Sequence, residues 1–312
     1  MQLGNYGIFL FNEATSAREL AAGVQKIERL GYGAVWFPEA VGREPFATGS
    51  FILSNTSTLI AATGIVNIYG RDAMVSAMGQ QTLAEQSGSR FLLGLGVSHS
   101  LFVNLRGHDY GKPLATMKSY VEAIAVCHKS LSIGRNLLVE GMSEQPISRA
   151  ADGTLVSEAG EMPIVLAALG PKMTALSRDI SQGSHPYNTT PEHTAEARAI
   201  LGDGPLLCPA QRVCLTKDAS VARAAGRRML TLYLGLPNYR NNWLRCGFTA
   251  ADLEHGGSDR FIDAMVAWGD ESTIRARLQA HLDAGASHVP IVPVNAADPA
   301  LPCWRAVEAF AP

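Results

Sequence analysis

The sequence is poor in the residue patterns that announce metal, disulfide or nucleic-acid chemistry. It has five cysteines (Cys127, Cys208, Cys214, Cys246, Cys303), scattered, odd in number and never spaced as CxxC. That usage excludes a disulfide framework and fits buried thiols in a reducing compartment. No block of like charge occurs, and 26 basic residues nearly balance 28 acidic ones. A binder of polyanions or membrane surfaces carries a readable basic patch, so neither nucleic acid nor membrane is expected as a partner. The first residues, "MQLGNYGIFLFNEATSAREL", lack the basic start and long apolar run of a secretory signal. No window approaches the roughly 18 apolar residues that a membrane-spanning helix needs. The expectation is a soluble, cytoplasmic protein.

Several catalytic signatures are also missing. No HExxH or HxH spacing points to zinc, so no metal site is expected. There is no GxSxG nucleophile elbow and no GxxxxGK[ST] phosphate loop. The segment after the first strand, "LFNEATSA", contains no glycine, which excludes a dinucleotide fingerprint at that place.

What is present is an alternation of apolar runs and amphipathic stretches along 312 residues, 47% of them hydrophobic. Strands are predicted at 6–11, 34–39, 62–69, 90–97, 163–169, 183–188, 212–216 and 288–294. Helices are predicted at 16–31, 73–88, 114–131, 171–180 and 190–201, and from 218 in an interrupted helical region to about 284. In the first helix Leu20, Val24, Ile27 and Leu30 recur at three- and four-residue steps. Ser16 and Glu19 form a capping-box pair, and Gly31 ends it. In the second, Met74, Met78 and Leu83 are expected to face inward. The strands read as continuous apolar runs, which implies burial on both faces and a parallel sheet. Eight βα units in a chain of this length favour a TIM (β/α)8 barrel, a single domain over 1–312, over an open doubly wound sheet. The stretch 132–162 reads as an insertion. The segments 40–55, 99–113 and 236–260 read as loops around the pocket.

In such a barrel the chemistry gathers where strands end. The residues to inspect are Glu39, Asn67, Arg71, Ser98, His99, Gly170, Lys172, His185, Tyr187 and Asn295. The fourth strand ends "LLGLGVSHS". Gly94 and Gly96 lack side chains, so either another backbone or a flat ligand comes close there. Gly170 precedes a helix that starts with Pro171 and Lys172. Free N–H groups and a lysine make that turn a candidate phosphate site. His128, His193, His281 and His288 lie on helices or at strand starts and read as packing residues. His99 and His185 stand at strand ends.

The stretch "ATGIVNIYGRDAMVSAMGQQTLAEQSGSRFLLGLGVSHS" (62–100) resembles the central signature of the luciferase-like monooxygenase superfamily. "GYGAVWFPEA" (31–40), "VLAALGPKMTAL" (165–176) and "DAGASHVPIVPV" (283–294) resemble its second-strand, flavin-phosphate and last-unit segments. "RGHDYGKPLATM", "HPYNTTPEHT" and "GLPNYRNNWLRCGF" are most similar to an actinobacterial subgroup of probable coenzyme F420-dependent oxidoreductases. The resemblance implies a TIM barrel, usually a homodimer, holding F420 or FMN at its C-terminal face. It implies a non-prolyl cis peptide at the position of Gly64-Ile65, behind the cofactor's central ring. It assigns cofactor-facing roles to Gly96, Val97 and Ser98, and phosphate roles to Gly170, Pro171 and Lys172. Asn67 and His185 complete the expected cofactor contacts.

The sequence departs from the family pattern at several points. Glu39-Ala40 stands where some deazaflavin enzymes have Asp-His. His99 stands where several have Glu. "RDAM" replaces R-x-P, and "SRDISQGSHPY" lacks the usual ADG. The resemblance implies hydride transfer between F420 and a small organic substrate, with His99 or Glu39 moving the accompanying proton. An FMN-dependent two-component monooxygenase and a catalytically idle flavin carrier remain alternatives.

Overall fold

The computed structural model describes residues 1–132 and 160–312, so the predicted insertion lies almost wholly outside the described residues. The elements run β1 (Tyr6–Phe9), α1 (Ala17–Arg29), β2 (Ala34–Phe37), α2 (Pro45–Ser54), β3 (Ile60–Thr63), β4 (Val66–Asn67), α3 (Ala73–Ser87) and β5 (Phe91–Gly96). They continue α4 (Ser100–Leu105), α5 (Pro113–Ser132), β6 (Ile164–Leu166), α6 (Pro171–Ile180), β7 (Gly183–Ser184), α7 (Pro191–Leu201), β8 (Leu206–Leu207) and β9 (Gln211–Leu215). The last are α8 (Ala219–Leu234), α9 (Pro237–Arg245), α10 (Asp259–Met265), β10 (Val266–Gly269), α11 (Glu271–Asp283), β11 (Val289–Pro293) and α12 (Trp304–Ala309).

The named ladders are parallel, in the order β10-β9-β11-β1-β2-β3-β5-β6-β7-β8, with β4 on β5. The order closes on itself because β8 runs straight into β9. Across that junction Cys208 N–H donates to Ser184 O (2.9 Å), Ala210 N–H to Pro186 O (3.0 Å), and Tyr187 bridges Ala210. Counting β3 with β4 and β8 with β9 as single staves gives the expected eight, a TIM-type barrel with β10 added against β9.

Alternation along each stave separates two cores. Phe9, Trp36, Leu92, Val165 and Val292 fill the barrel interior. Ile8, Val35, Phe37, Leu93 and Leu95 pack outward against the helices. A third cluster, including Trp243, Phe248 and Phe261, holds α8, α9 and α10 together. The Ser16–Glu19 capping box forms as read.

The structure corrects four local readings. β10 occupies part of the region expected to be helical: "VAWG" follows α10 without a breaker, and pairing with β9 decides its conformation. The supposed loops contain α2, α4 and α9. α2 starts at Pro45 with Glu44 capping Ala47 N–H at 2.7 Å. The third strand starts at Ile60, earlier than the predicted 62, and breaks at 64–65. In α3 the inward face is Ser76, Ala77, Gln80, Leu83 and Ala84. Met78 is exposed, because it falls on the face of α3 opposite the side packed against α2 and α5. Among the described residues no helix is long and apolar enough to cross a membrane.

Candidate functional site

The glycines of β5 answer to the neighbouring strand. A Cβ on Gly94 would lie 1.9 Å from Thr63 O, and one on Gly96 would lie 2.5 Å from Ile65 Cδ1. Gly94 therefore admits the β3 backbone, and Gly96 seats the Ile65 side chain. Between β3 and β4 the Gly64-Ile65 peptide is cis. Both residues are half-buried and so reachable from the mouth of the barrel.

Glu39, just past β2, braces this segment from the side. Its N–H donates to Ile65 O at 3.1 Å. Its carboxylate accepts Asn67 N–H at 2.8 Å and pairs with Arg71 through both oxygens, at 2.9 and 3.1 Å. With both oxygens engaged, Glu39 is built as a positioning anion. Asn67 is buried, and its Oδ1 accepts Tyr69 N–H at 3.0 Å, fixing the turn toward Arg71.

His185 lies beneath the same segment, inside the barrel. It is 2% exposed and stacks on Trp36 with ring centroids 4.4 Å apart. Its Nδ1–H donates to Cys208 O at 2.7 Å, and a Cβ on Gly64 would meet its Nε2 at 2.9 Å. Burial lowers its pKa to about 4, so the ring is neutral at pH 7. The structure places His185 as a buried support directly under Gly64.

His99 occupies another sector of the mouth. It is half-buried at the start of α4, its Nδ1 lies 3.1 Å from Asn238 Oδ1, and the rings of Phe102 and Tyr239 flank it at 5.9 and 5.8 Å. Desolvation lowers its pKa, opposed by the Asn238 hydrogen bond. An Nδ1–H donated to Asn238 leaves Nε2 with a free lone pair, the form a general base needs. Val97 packs against the outer core. Ser98 sits at φ +54°, a left-handed conformation uncommon for serine, and accepts Tyr110 O–H at 3.4 Å.

The third sector is the start of α6. Ala167 N–H donates to Leu95 O at 2.8 Å, so the chain leaves β6 beside the end of β5. Gly170 is the N-cap, Pro171 follows, no side chain caps the first turn, and a Cβ on Gly170 would meet nothing within 4 Å. Lys172 is exposed. Leu169 O, just before the turn, accepts His193 Nε2–H at 2.7 Å and an Arg245 donor at 3.5 Å. An open, uncapped helix start with a lysine can take a phosphate.

Glu39, Gly64, Ile65, Asn67, Gly96 and His185 therefore form one connected floor, with His99 and the Gly170–Lys172 turn on separate flanks. Sequence reasoning missed Arg212. It sits within β9 and reaches Asn188 and Tyr187. A lone charge inside the apolar run "QRVCL" was the available signal. Among the described residues no cluster of three or more His, Cys, Asp or Glu could hold a metal.

A family model described as luciferase-like monooxygenase matches residues 5–288. A 5,10-methylenetetrahydromethanopterin reductase of Methanolobus tindarius is 26% identical over 290 residues, 84% of this chain and 86% of that protein. A putative coenzyme F420-dependent oxidoreductase of Mycobacterium tuberculosis is 27% identical over 254 residues, 75% and 72% of the two chains. The solved F420-dependent tetrahydromethanopterin reductase of Methanopyrus kandleri superposes with a TM-score of 0.74 at 17% identity, over 100% of this chain and 98% of that one, a likeness of fold.

Proposed function

The chain belongs to the luciferase-like monooxygenase family, and from that premise we propose that it is an F420-dependent oxidoreductase acting on a small organic substrate. The observation that carries the reading is the open Gly170–Lys172 turn beside a floor in which Gly96 leaves room for Ile65. Such a turn suits a cofactor phosphate, and such a floor suits a flat ring. F420, when bound, supplies the hydride chemistry.

The chain's own residues supply the rest. Gly170, Pro171 and Lys172 hold the phosphate through the helix start and the lysine charge. Gly64 and Ile65 lie behind the ring, and the backbone of Gly96, Val97 and Ser98 meets its polar edge. Asn67, locked by Glu39 and Tyr69, keeps that floor in register. His99 moves the proton. Its imidazole is neutral at pH 7, so Nε2 accepts a proton from a substrate hydroxyl, and the imidazolium returns it in the reverse direction. The relatives named for F420 support this cofactor over FMN.

Absorbance-monitored titration with F420 and with FMN, separately, tests the reading. Tight uptake of F420, with turnover across a panel of alcohols, carbonyls and enones that collapses in His99→Ala, is the expected outcome. Tight FMN uptake with none of F420 transfers the protein to the monooxygenase reading. Uptake of neither overturns both.

A further inference from the structure

Aromatic rings line one side of the barrel mouth in an unbroken arc. Centroid to centroid, His99 lies 5.8 Å from Tyr239, Tyr239 5.0 Å from Tyr233, Tyr233 5.7 Å from Tyr187 and Tyr187 5.4 Å from Phe9. Phe9 stands against the floor, since a Cβ on Gly64 would meet its Cε2 at 2.5 Å. The arc therefore begins at His99 and ends at Gly64. A substrate held over the floor and within reach of His99 has these rings as its side wall.

Within this arc Tyr187 has a distinct electrostatic setting. It packs both on the barrel interior and on the cluster of α8, α9 and α10, yet it is only half-buried. A side chain set between those two layers meets solvent through the mouth. Its Oη accepts Arg212 Nη2–H at 2.7 Å, and the guanidinium lies 5.0 Å from its ring centroid. Arg212 is 1% exposed, donates Nε–H to Asn188 Oδ1 at 3.0 Å, and has no partner at Nη1. Among the described residues no carboxylate pairs with it. A buried cation without a counter-charge is costly, and it stabilises any negative charge that forms within a few ångströms. With its oxygen engaged by the guanidinium, Tyr187 keeps one O–H to donate. Burial raises its pKa well above the ordinary tyrosine value, so it remains a donor at neutral pH.

We propose that Tyr187 is a second catalytic residue, its hydroxyl donating a hydrogen bond to the substrate oxygen that becomes negatively charged, with Arg212 as the positioning residue behind it. This rests on the oxidoreductase reading for the reaction, but the anion-stabilising hydroxyl is testable without it. The substrate is then an alcohol or carbonyl compound that reacts at its oxygen-bearing carbon. In the oxidation direction the substrate hydroxyl proton passes to His99 Nε2, and the hydride leaves the adjacent carbon for the oxidised deazaflavin. Tyr187 keeps its own proton, and its hydrogen bond strengthens as charge builds on the oxygen. In reduction the same bond polarises the carbonyl. The fixed charge of Arg212 favours the anionic oxygen over the neutral one in both directions.

The test uses the whole chain without cofactor and para-nitrophenol, whose phenolate mimics the charged oxygen and whose visible absorbance reports its ionisation. Bound probe is expected to be more ionised than free probe at the same pH, with the anion favoured at least about tenfold, the scale of a charge-assisted hydrogen bond. Tyr187→Phe, checked for folding by circular dichroism, removes that preference and leaves the affinity for nitrobenzene, which has the ring without the oxygen, unchanged. Arg212→Met weakens the preference, and Arg212→Lys restores part of it. Unshifted ionisation of bound probe in the unaltered chain, no uptake of the probe, or an anion preference that survives Tyr187→Phe overturns the proposal. The last outcome would place the anion at the Gly170–Lys172 turn. A preference that Tyr187→Phe abolishes, in a chain that takes up no cofactor, supports the hydroxyl and removes only the redox reading.

Discussion

Arg71 grips Glu39 through two contacts, Nη1 to Oε2 at 2.9 Å and Nη2 to Oε1 at 3.1 Å, with the side chains 10% and 11% exposed. The pair ties the end of β2 to the turn after β4. Removing one partner leaves the other charge stranded in a poorly hydrated place. Arg71→Met is therefore expected to cost about 3 kcal/mol or more in urea unfolding, the low end for breaking a buried pair. The double variant Glu39→Gln with Arg71→Met should recover part of that loss. Additive losses would show that the contact contributes nothing specific.

Gly96 is reserved for Ile65. A Cβ there would lie 2.5 and 2.6 Å from Ile65 Cδ1 and Cγ1. Gly96→Ala is expected to destabilise by about 1–3 kcal/mol through overpacking. In an Ile65→Ala background the same change should cost much less, since both opposing atoms are gone. A double-mutant cycle reads this coupling directly. Equal costs in the two backgrounds would place the collision elsewhere.

At Gly170 stability and cofactor binding should move in opposite directions. Its dihedrals (φ −91°, ψ 157°) suit an N-cap, yet it has no side chain to cap with. Gly170→Ser would accept a first-turn N–H, and thermal unfolding is expected to show a gain of a few tenths of a kcal/mol, the usual serine-over-glycine difference at this position. The same hydroxyl would occupy the N–H groups offered to the phosphate, so cofactor affinity should drop. A variant that gains stability with affinity unchanged would remove the phosphate from this turn.

His99 should set the acid limb of the pH–rate profile. Burial holds its pKa below the ordinary 6.5. If neutral imidazole is the base, the acid limb of kcat/KM in the oxidation direction lies below the ordinary imidazole value. Asn238→Ala removes the hydrogen bond that opposes the shift, so the limb should move to still lower pH. A limb at or above 6.5 would point to another group.

The buried histidines predict how acid unfolds the protein. His185 and His288 have pKa values lowered to about 4 and His281 to about 3, in each case chiefly by burial. Below pH 6.5 the unfolded chain takes up protons at these sites and the native chain does not. Stability therefore falls as pH drops from 6.5 toward 4, by at most about 4 kcal/mol per pH unit for the three together. Replacing His281, which bonds Thr194 and Gln211, by Gln should flatten the dependence measured by urea titration at several pH values. A slope unchanged in that variant would assign the acid sensitivity elsewhere.

Most of the staves were legible because they are short apolar runs, and burial on both faces of a parallel sheet demands that composition, while β7 (Gly183–Ser184) is read from its place between two helices. The glycine-ended strand and the open start of α6 were legible because missing side chains and an N-terminal proline are local signals. α2, α4, α9 and β10 were harder. They are short, and packing at the barrel mouth, more than periodicity, selects their conformations. His185 looked like a mouth residue because it follows a strand. Its ring turns inward, where Trp36 and the Cys208 carbonyl receive it.

The sequence by itself determined the number of staves, their parallel pairing and the places where the chain can do chemistry, because these depend on composition and spacing along a few residues. Only the tertiary structure decided which of those places meet. Glu39 and Arg71 are 32 residues apart and Arg212 and Asn188 are 24 apart. Their partnerships exist only after the barrel closes, since hydrogen bonds and charge pairs act over a few ångströms whatever the distance along the chain.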